Sequence, residues 1–207
     1  MSKLWMVCGA ILLASSLQAS TVAYDSTQQT TDGAAPIEFV GPLYASFSTG
    51  ATSGALSNLE LLLGLGEAPD GLITVGLYSD SGTTPGSLIS DLGAFDDSIL
   101  TSGPDLFTVA LTANPELSAG TRYWIGLSSS GTLAGWDWTS DTSGTGVNGE
   151  YYSDRFGTYP NDGDRAYQME VEVTASSAPE PSTFFFGASM LAALAAFRRH
   201  ATRLLQR

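Results

Sequence analysis

Cysteine, histidine and lysine are almost missing from this chain of 207 residues, which holds one of each: Cys8, His200 and Lys3. All three lie near the ends, so residues 20–177 contain none of them. Their absence excludes disulfides, Ser-His-Asp and Cys-His nucleophilic systems, Schiff-base lysines and ordinary zinc sites from that stretch. No GxxxxGK loop is present to cradle a phosphate. Positive charge is equally scarce: Arg122, Arg155 and Arg165 face 20 Asp and Glu across residues 20–177, a net of −17. Such a surface repels nucleic acid and anionic lipid, and it suits an exported protein that must stay soluble or one that binds divalent cations. Two-carboxylate glycoside hydrolysis survives these exclusions. Asp137, between Trp136 and Trp138, and Glu150, beside Tyr151, are its best-placed acids. With 20 acids, carboxylate pairs arise without meaning, and the expectation is a non-enzymatic protein with no obligatory cofactor.

What is abundant is turn chemistry. Short β-rich runs alternate with Gly, Ser, Asp and Pro. The runs are 43–47, 59–63, 73–78, 106–111, 123–127 and 167–173. Ile73-Thr74-Val75-Gly76-Leu77-Tyr78 has the period of two expected of a half-buried strand. In the last run, Tyr167, Met169, Val171 and Val173 are predicted on one face, with Gln168, Glu170 and Glu172 on the other. Residues 59–65 are short and end at Gly66, which favours a strand over a helix. No stretch has a convincing helical period. Strands at this spacing predict an all-β domain, a single antiparallel β-sandwich or jelly roll. Asp, Gly and Pro within 79–86 predict a tight turn, and Gly120 a sharp entry into the strand at 123–127, where Trp124 is expected as a core anchor. Residues 20–36, polar and rich in Thr and Gln beyond Asp25, are expected as a flexible leader to a domain at 37–174, followed by a linker at 175–178.

The two ends carry addresses. Lys3, an apolar run over 4–17 and the small residues around Ser16-Leu17-Gln18-Ala19 have the layout of a secretory signal peptide over 1–19, cut after Ala19 by signal peptidase, with Ala23 as the second site. Cys8, near the start of the apolar run, is removed with it. At the other end come Pro179-Glu180-Pro181, an apolar run of 14 residues over 184–197, and Arg198-Arg199. Fourteen residues make roughly 21 Å of helix, against about 30 Å of bilayer core. Snorkelling by Arg198 and the turns before Phe184 bring a membrane span within reach. The positive-inside rule then places Arg198, Arg199, Arg203 and Arg207 in the cytoplasm.

This tripartite tail, 179–207, resembles the PEP-CTERM sorting signal of Gram-negative bacteria. The resemblance implies transient insertion in the inner membrane, processing near Pro179–Pro181 by an exosortase-type enzyme, and delivery to the cell envelope or extracellular matrix. Three internal segments resemble the "choice-of-anchor R" type of bacterial extracellular domain: 42–50, 75–88 and 117–127. That resemblance implies an extracellular β domain over about 37–174 and carries no chemistry. The expected function is therefore a surface or matrix component with a structural or adhesive role in biofilm and exopolysaccharide biology.

Two binding surfaces stand out. Trp136, Trp138, Tyr151, Tyr152, Phe156 and Tyr159 fall within 24 residues. Exposed aromatic faces beside carboxylates and amides suit a sugar, whose C–H face is apolar and whose rim is polar. Trp136, Trp138, Tyr151, Tyr152 and Tyr159 are the candidate glycan contacts, set against plain core packing. Strand alternation puts both tryptophans on one face. Asn161-Asp162-Gly163-Asp164 gathers oxygen ligands around a glycine turn, and Asn161, Asp162 and Asp164 are candidate calcium ligands, with Asp154 able to complete the set. The alternative is a turn chosen for its backbone. Together these surfaces leave a calcium-assisted glycan-binding module open beside the structural role.

Overall fold

The computed structural model describes residues 20–51, 53–66 and 71–175. The expected signal peptide over 1–19 and the PEP-CTERM-like tail over 179–207 lie outside the described residues. Within them the elements run β1 (Ser20–Asp25), β2 (Gly33–Pro36), α1 (Ile37–Val40), β3 (Leu43–Ser48), β4 (Gly54–Gly64), β5 (Leu72–Asp80) and β6 (Pro85–Asp96). After a 3-10 turn at Asp97–Ile99 follow β7 (Asp105–Thr108), β8 (Glu116–Leu117), β9 (Arg122–Ser130), β10 (Gly135–Thr139), β11 (Tyr151–Asp154), β12 (Gly157–Pro160), β13 (Ala166–Tyr167) and β14 (Met169–Ala175). Among the described residues, no helix is long and apolar enough to cross a membrane.

The strands form two antiparallel sheets, and the protein is an all-β, sandwich-like fold. The first sheet runs β1-β14-β4-β10-β13, with β2 against β10, and β7 and β8 against β4; the second runs β12-β11-β3-β9-β5-β6. Period-two alternation fills the space between them. Leu59, Leu61 and Leu63 of β4 and Met169, Val171 and Val173 of β14 meet Ile73, Val75 and Leu77 of β5 and Tyr123, Ile125 and Leu127 of β9 in one apolar core. Burying an aliphatic side chain of this kind stabilises the fold by about 1.5–3 kcal/mol.

The predicted turns form as their chemistry requires. Gly82 and Thr83 take φ of 64° and 72° at the β5–β6 hairpin, where Ser81 N–H donates to Thr84 O at 2.8 Å. Both values belong to the left-handed region that two-residue hairpins use. Gly120 takes φ of 59° just before β9.

One expectation is corrected, and two others gain detail. Residues 20–36 are not a leader outside the sheets: β1 pairs with β14 and β2 with β10. Backbone pairing holds this largely polar segment together with the few apolar side chains it buries, Tyr24 and Ala35. In β9, Trp124 is a buried anchor as expected, on the face opposite Tyr123, Ile125 and Leu127 of the apolar core cluster. Its Nε1 donates to Asp80 Oδ1 at 2.9 Å. Gln168 differs in burial from Glu170 and Glu172, which are half-buried. It is fully buried, its Nε2 donates to Ser26 O at 3.0 Å and Gln29 O at 2.9 Å, and its Oε1 accepts from Thr31 at 2.7 Å. This amide ties the turn after β1 to the junction of β13 and β14 through hydrogen bonds that satisfy its own buried donor and acceptor.

Candidate functional site

The aromatic cluster divides into buried and displayed members. Trp136, in the middle of β10, is fully buried, and its Nε1 donates to Gln168 O at 3.0 Å. Trp138, two residues on, is half-buried at the margin of the same core, and the Arg165 guanidinium lies over its ring at 5.3 Å. The tryptophans thus share a face, but the end of the sheet leaves only the second within reach of solvent.

The β11–β12 hairpin carries the other aromatics. Tyr152 pairs with Tyr159 across the two strands, and their rings stack at 5.3 Å. Tyr152 is buried, and its hydroxyl donates to Asp164 Oδ2 at 2.7 Å. Burial, followed by the neighbouring Asp164 carboxylate, pushes the Tyr152 phenol well above its ordinary pKa. Tyr151 is half-buried beneath the Arg122 guanidinium, 4.9 Å from its ring centre. Tyr159 and Phe156 are exposed, at 39% and 64%, and Arg155 lies over the Phe156 ring at 4.6 Å. The displayed aromatic surface is therefore Phe156 and Tyr159 at the hairpin tip, with an arginine beside them.

The candidate calcium ligands turn in three directions. Asn161 is buried, with its Nδ2 donating to Tyr24 Oη and to Val147 O, both at 3.5 Å. Asp164 accepts the Tyr152 hydroxyl, and Asp162 is exposed. Asp154 caps its own turn by accepting Phe156 N–H at 2.8 Å. Gly163 has φ of 74°, which accounts for a glycine at this position. Among the described residues, no group of three or more His, Cys, Asp or Glu is gathered as a metal would require.

No family model matches the chain. A comparison with curated proteins gives no match either. The two sites must therefore be judged on their own geometry.

The two acids singled out from the sequence have different surroundings. Glu150 is buried, accepts from Ser46 Oγ and from Ser48 Oγ at 2.5 Å, and forms an ion pair with Arg122 Nε at 2.9 Å. It is fully partnered and braces β3 against β9. Asp137, only 3% exposed, has a buried Oδ2 with no hydrogen-bond donor. Burial raises its carboxyl from 3.8 to about 6. The sequence offers a hint of the Glu150 network in the alternation Ser46-Phe47-Ser48, which places two hydroxyls on one strand face. Nothing local in the sequence marks Asp137 as unpartnered.

Proposed function

We propose that this protein is an exported component of the cell surface or extracellular matrix, with a structural or adhesive role in biofilm and exopolysaccharide assembly. The observation that carries this reading is the ordered tail Pro179-Glu180-Pro181, apolar 184–197 and Arg198-Arg199, at the opposite end from a signal-peptide-like segment. A signal peptidase acts first, the C-terminal helix holds the chain in the inner membrane of a Gram-negative cell, and an exosortase-type enzyme releases it. A jelly-roll-like domain with a net charge of −17 over residues 20–177 remains soluble once outside. The intact mass of the exported protein tests this: the reading expects loss of 1–19 and of the residues after about Pro181, and a surface form retaining the whole tail refutes it.

One observation favours a second role, glycan recognition. Phe156 and Tyr159 display aromatic surface at the β11–β12 hairpin, and Arg155 supplies donors beside it. Phe156→Ala with Tyr159→Ala should abolish binding to the producing organism's exopolysaccharide while the domain still melts cooperatively, lowered only by the lost Tyr152–Tyr159 stacking. Retained binding removes this surface from consideration. Calcium assistance is tested in the same titration by adding chelator.

A further inference from the structure

Asp137 lies between two tryptophans on the core side of β10, so its own side chain points to the other face of the sheet. There it sits in a groove of ≈ 240 Å³ formed by β2, the end of β4 and the segment 102–104. Glycines keep the groove open: Gly64, Gly103 and Gly135 line it, and a Cβ on Gly64 would stand 3.6 Å from Asp137 Oδ2. The remaining walls are mostly apolar, with Pro36, Pro104 and Leu133 among them.

A desolvated carboxylate without a donor costs several kcal/mol and is ordinarily relieved by rearrangement or by a partner. The domain's own cations are all engaged elsewhere. Arg122 holds Glu150, Arg155 covers Phe156 and Arg165 covers Trp138. Burial is the cause of the raised Asp137 pKa, with no charged group offsetting it. We infer that the Asp137 groove binds a primary ammonium group carried on a short apolar stem.

The chemistry selects this ligand over others. A hard metal ion wants six or more oxygens, whereas the groove offers one carboxylate. A sugar ring needs several convergent polar groups, and among the described residues the only hydroxyl side chain lining the groove is Ser102. An ammonium needs a single desolvated carboxylate, with which it forms a charge-assisted bond. Methylenes behind it pack on proline and leucine. The net charge of −17 on residues 20–177 concentrates such cations near the domain. A free alkylamine and a lysine side chain present the same chemistry. The inference does not depend on how the chain is exported.

The test is calorimetric titration of the full chain in detergent with n-butylammonium chloride and, separately, with the peptide Gly-Lys-Gly. Saturable binding of either supports the inference, and the tighter of the two identifies the source. No other titratable side chain lines the groove among the described residues. Affinity should therefore fall roughly tenfold from pH 7.5 to pH 5, as a carboxyl of pKa about 6 takes up its proton. Asp137→Asn should weaken binding by roughly tenfold or more at pH 7.5 while still melting cooperatively, at a temperature no lower than wild type. Should that variant fail to fold, Gly64→Ala keeps the carboxylate and places a methyl 3.6 Å from Oδ2, which should weaken binding by crowding. Absence of saturable binding, equal binding of neutral n-butanol, or binding unmoved by either folded variant overturns the inference.

Discussion

Trp136 and Tyr167 stack in the core, with ring centroids 4.7 Å apart and planes inclined by 15°. Tyr167 in turn meets Tyr152 edge-on at 5.9 Å. This aromatic chain links the end of the first sheet to the β11 hairpin of the second. It converts part of a candidate glycan platform into packing. Trp136→Ala should cost about 3–5 kcal/mol, through lost burial, lost stacking and the lost indole hydrogen bond to Gln168 O, which keeps its bond from Leu62 N–H. Trp138→Ala, at the margin of the same core, should cost no more than about 2 kcal/mol. Urea unfolding of the two variants checks the difference, and equal costs would contradict the assignment of Trp136 as the anchor.

Asp137 makes stability depend on pH in an unusual direction. Its folded pKa, about 6, lies above the ordinary 3.8, so the folded state holds the proton more tightly than the unfolded chain. Its favourable contribution is complete below about pH 4 and disappears as pH rises through 6. Asp137→Asn should therefore gain up to about 3 kcal/mol over wild type at pH 8, and about nothing at pH 4. Melting temperatures of both proteins across that range give the answer. A gain independent of pH would show that the carboxyl is not the cause.

The Arg122–Glu150 pair behaves in the opposite way to a surface ion pair. The Glu150 side chain is 5% exposed and also accepts two serine hydroxyls. Arg122→Ala strips the charge partner from a buried carboxylate and should cost about 3 kcal/mol or more. Adding Glu150→Gln to Arg122→Ala should recover part of the loss, because the leftover charge is gone. A double-mutant cycle from denaturant curves measures this, and no recovery would argue that Arg122 acts through packing alone.

At the β5–β6 hairpin, Thr83 holds φ of 72° despite a β-branched side chain. Two-residue turns with both central φ positive favour Asn-Gly, and here the order is Gly82-Thr83. Thr83→Gly removes the strain and should stabilise the domain by roughly 0.5–1 kcal/mol, after the added entropy of the unfolded glycine. A rise in melting temperature supports this, and a fall would mean that the threonine side chain contributes more than its backbone costs.

Strands, turns and fold class were legible in the sequence because their signals are local. A period of two over 73–78 and 169–173, Gly and Asp at the turns, and the absence of any helical period need no distant partner to be read. The terminal segments read as addresses are likewise contiguous, and that reading is the proposal that the intact mass of the exported protein tests. Tertiary structure decided the rest. β1 and β2 read as a polar leader, since it is pairing with β14 and β10 that makes them strands and brings Tyr24 and Ala35 into the core, neither of which composition encodes. Strand alternation says that Trp124 and Ile125 face opposite ways, but which face is the core depends on where the other sheet packs. Gln168 is buried because the turn after β1 presents carbonyls to it. The groove at Asp137 exists because glycines from three separated segments converge on one carboxylate and leave it without a donor. Polar satisfaction is set by neighbours distant in the chain, so it was the tertiary fold that separated a partnered Glu150 from an unpartnered Asp137.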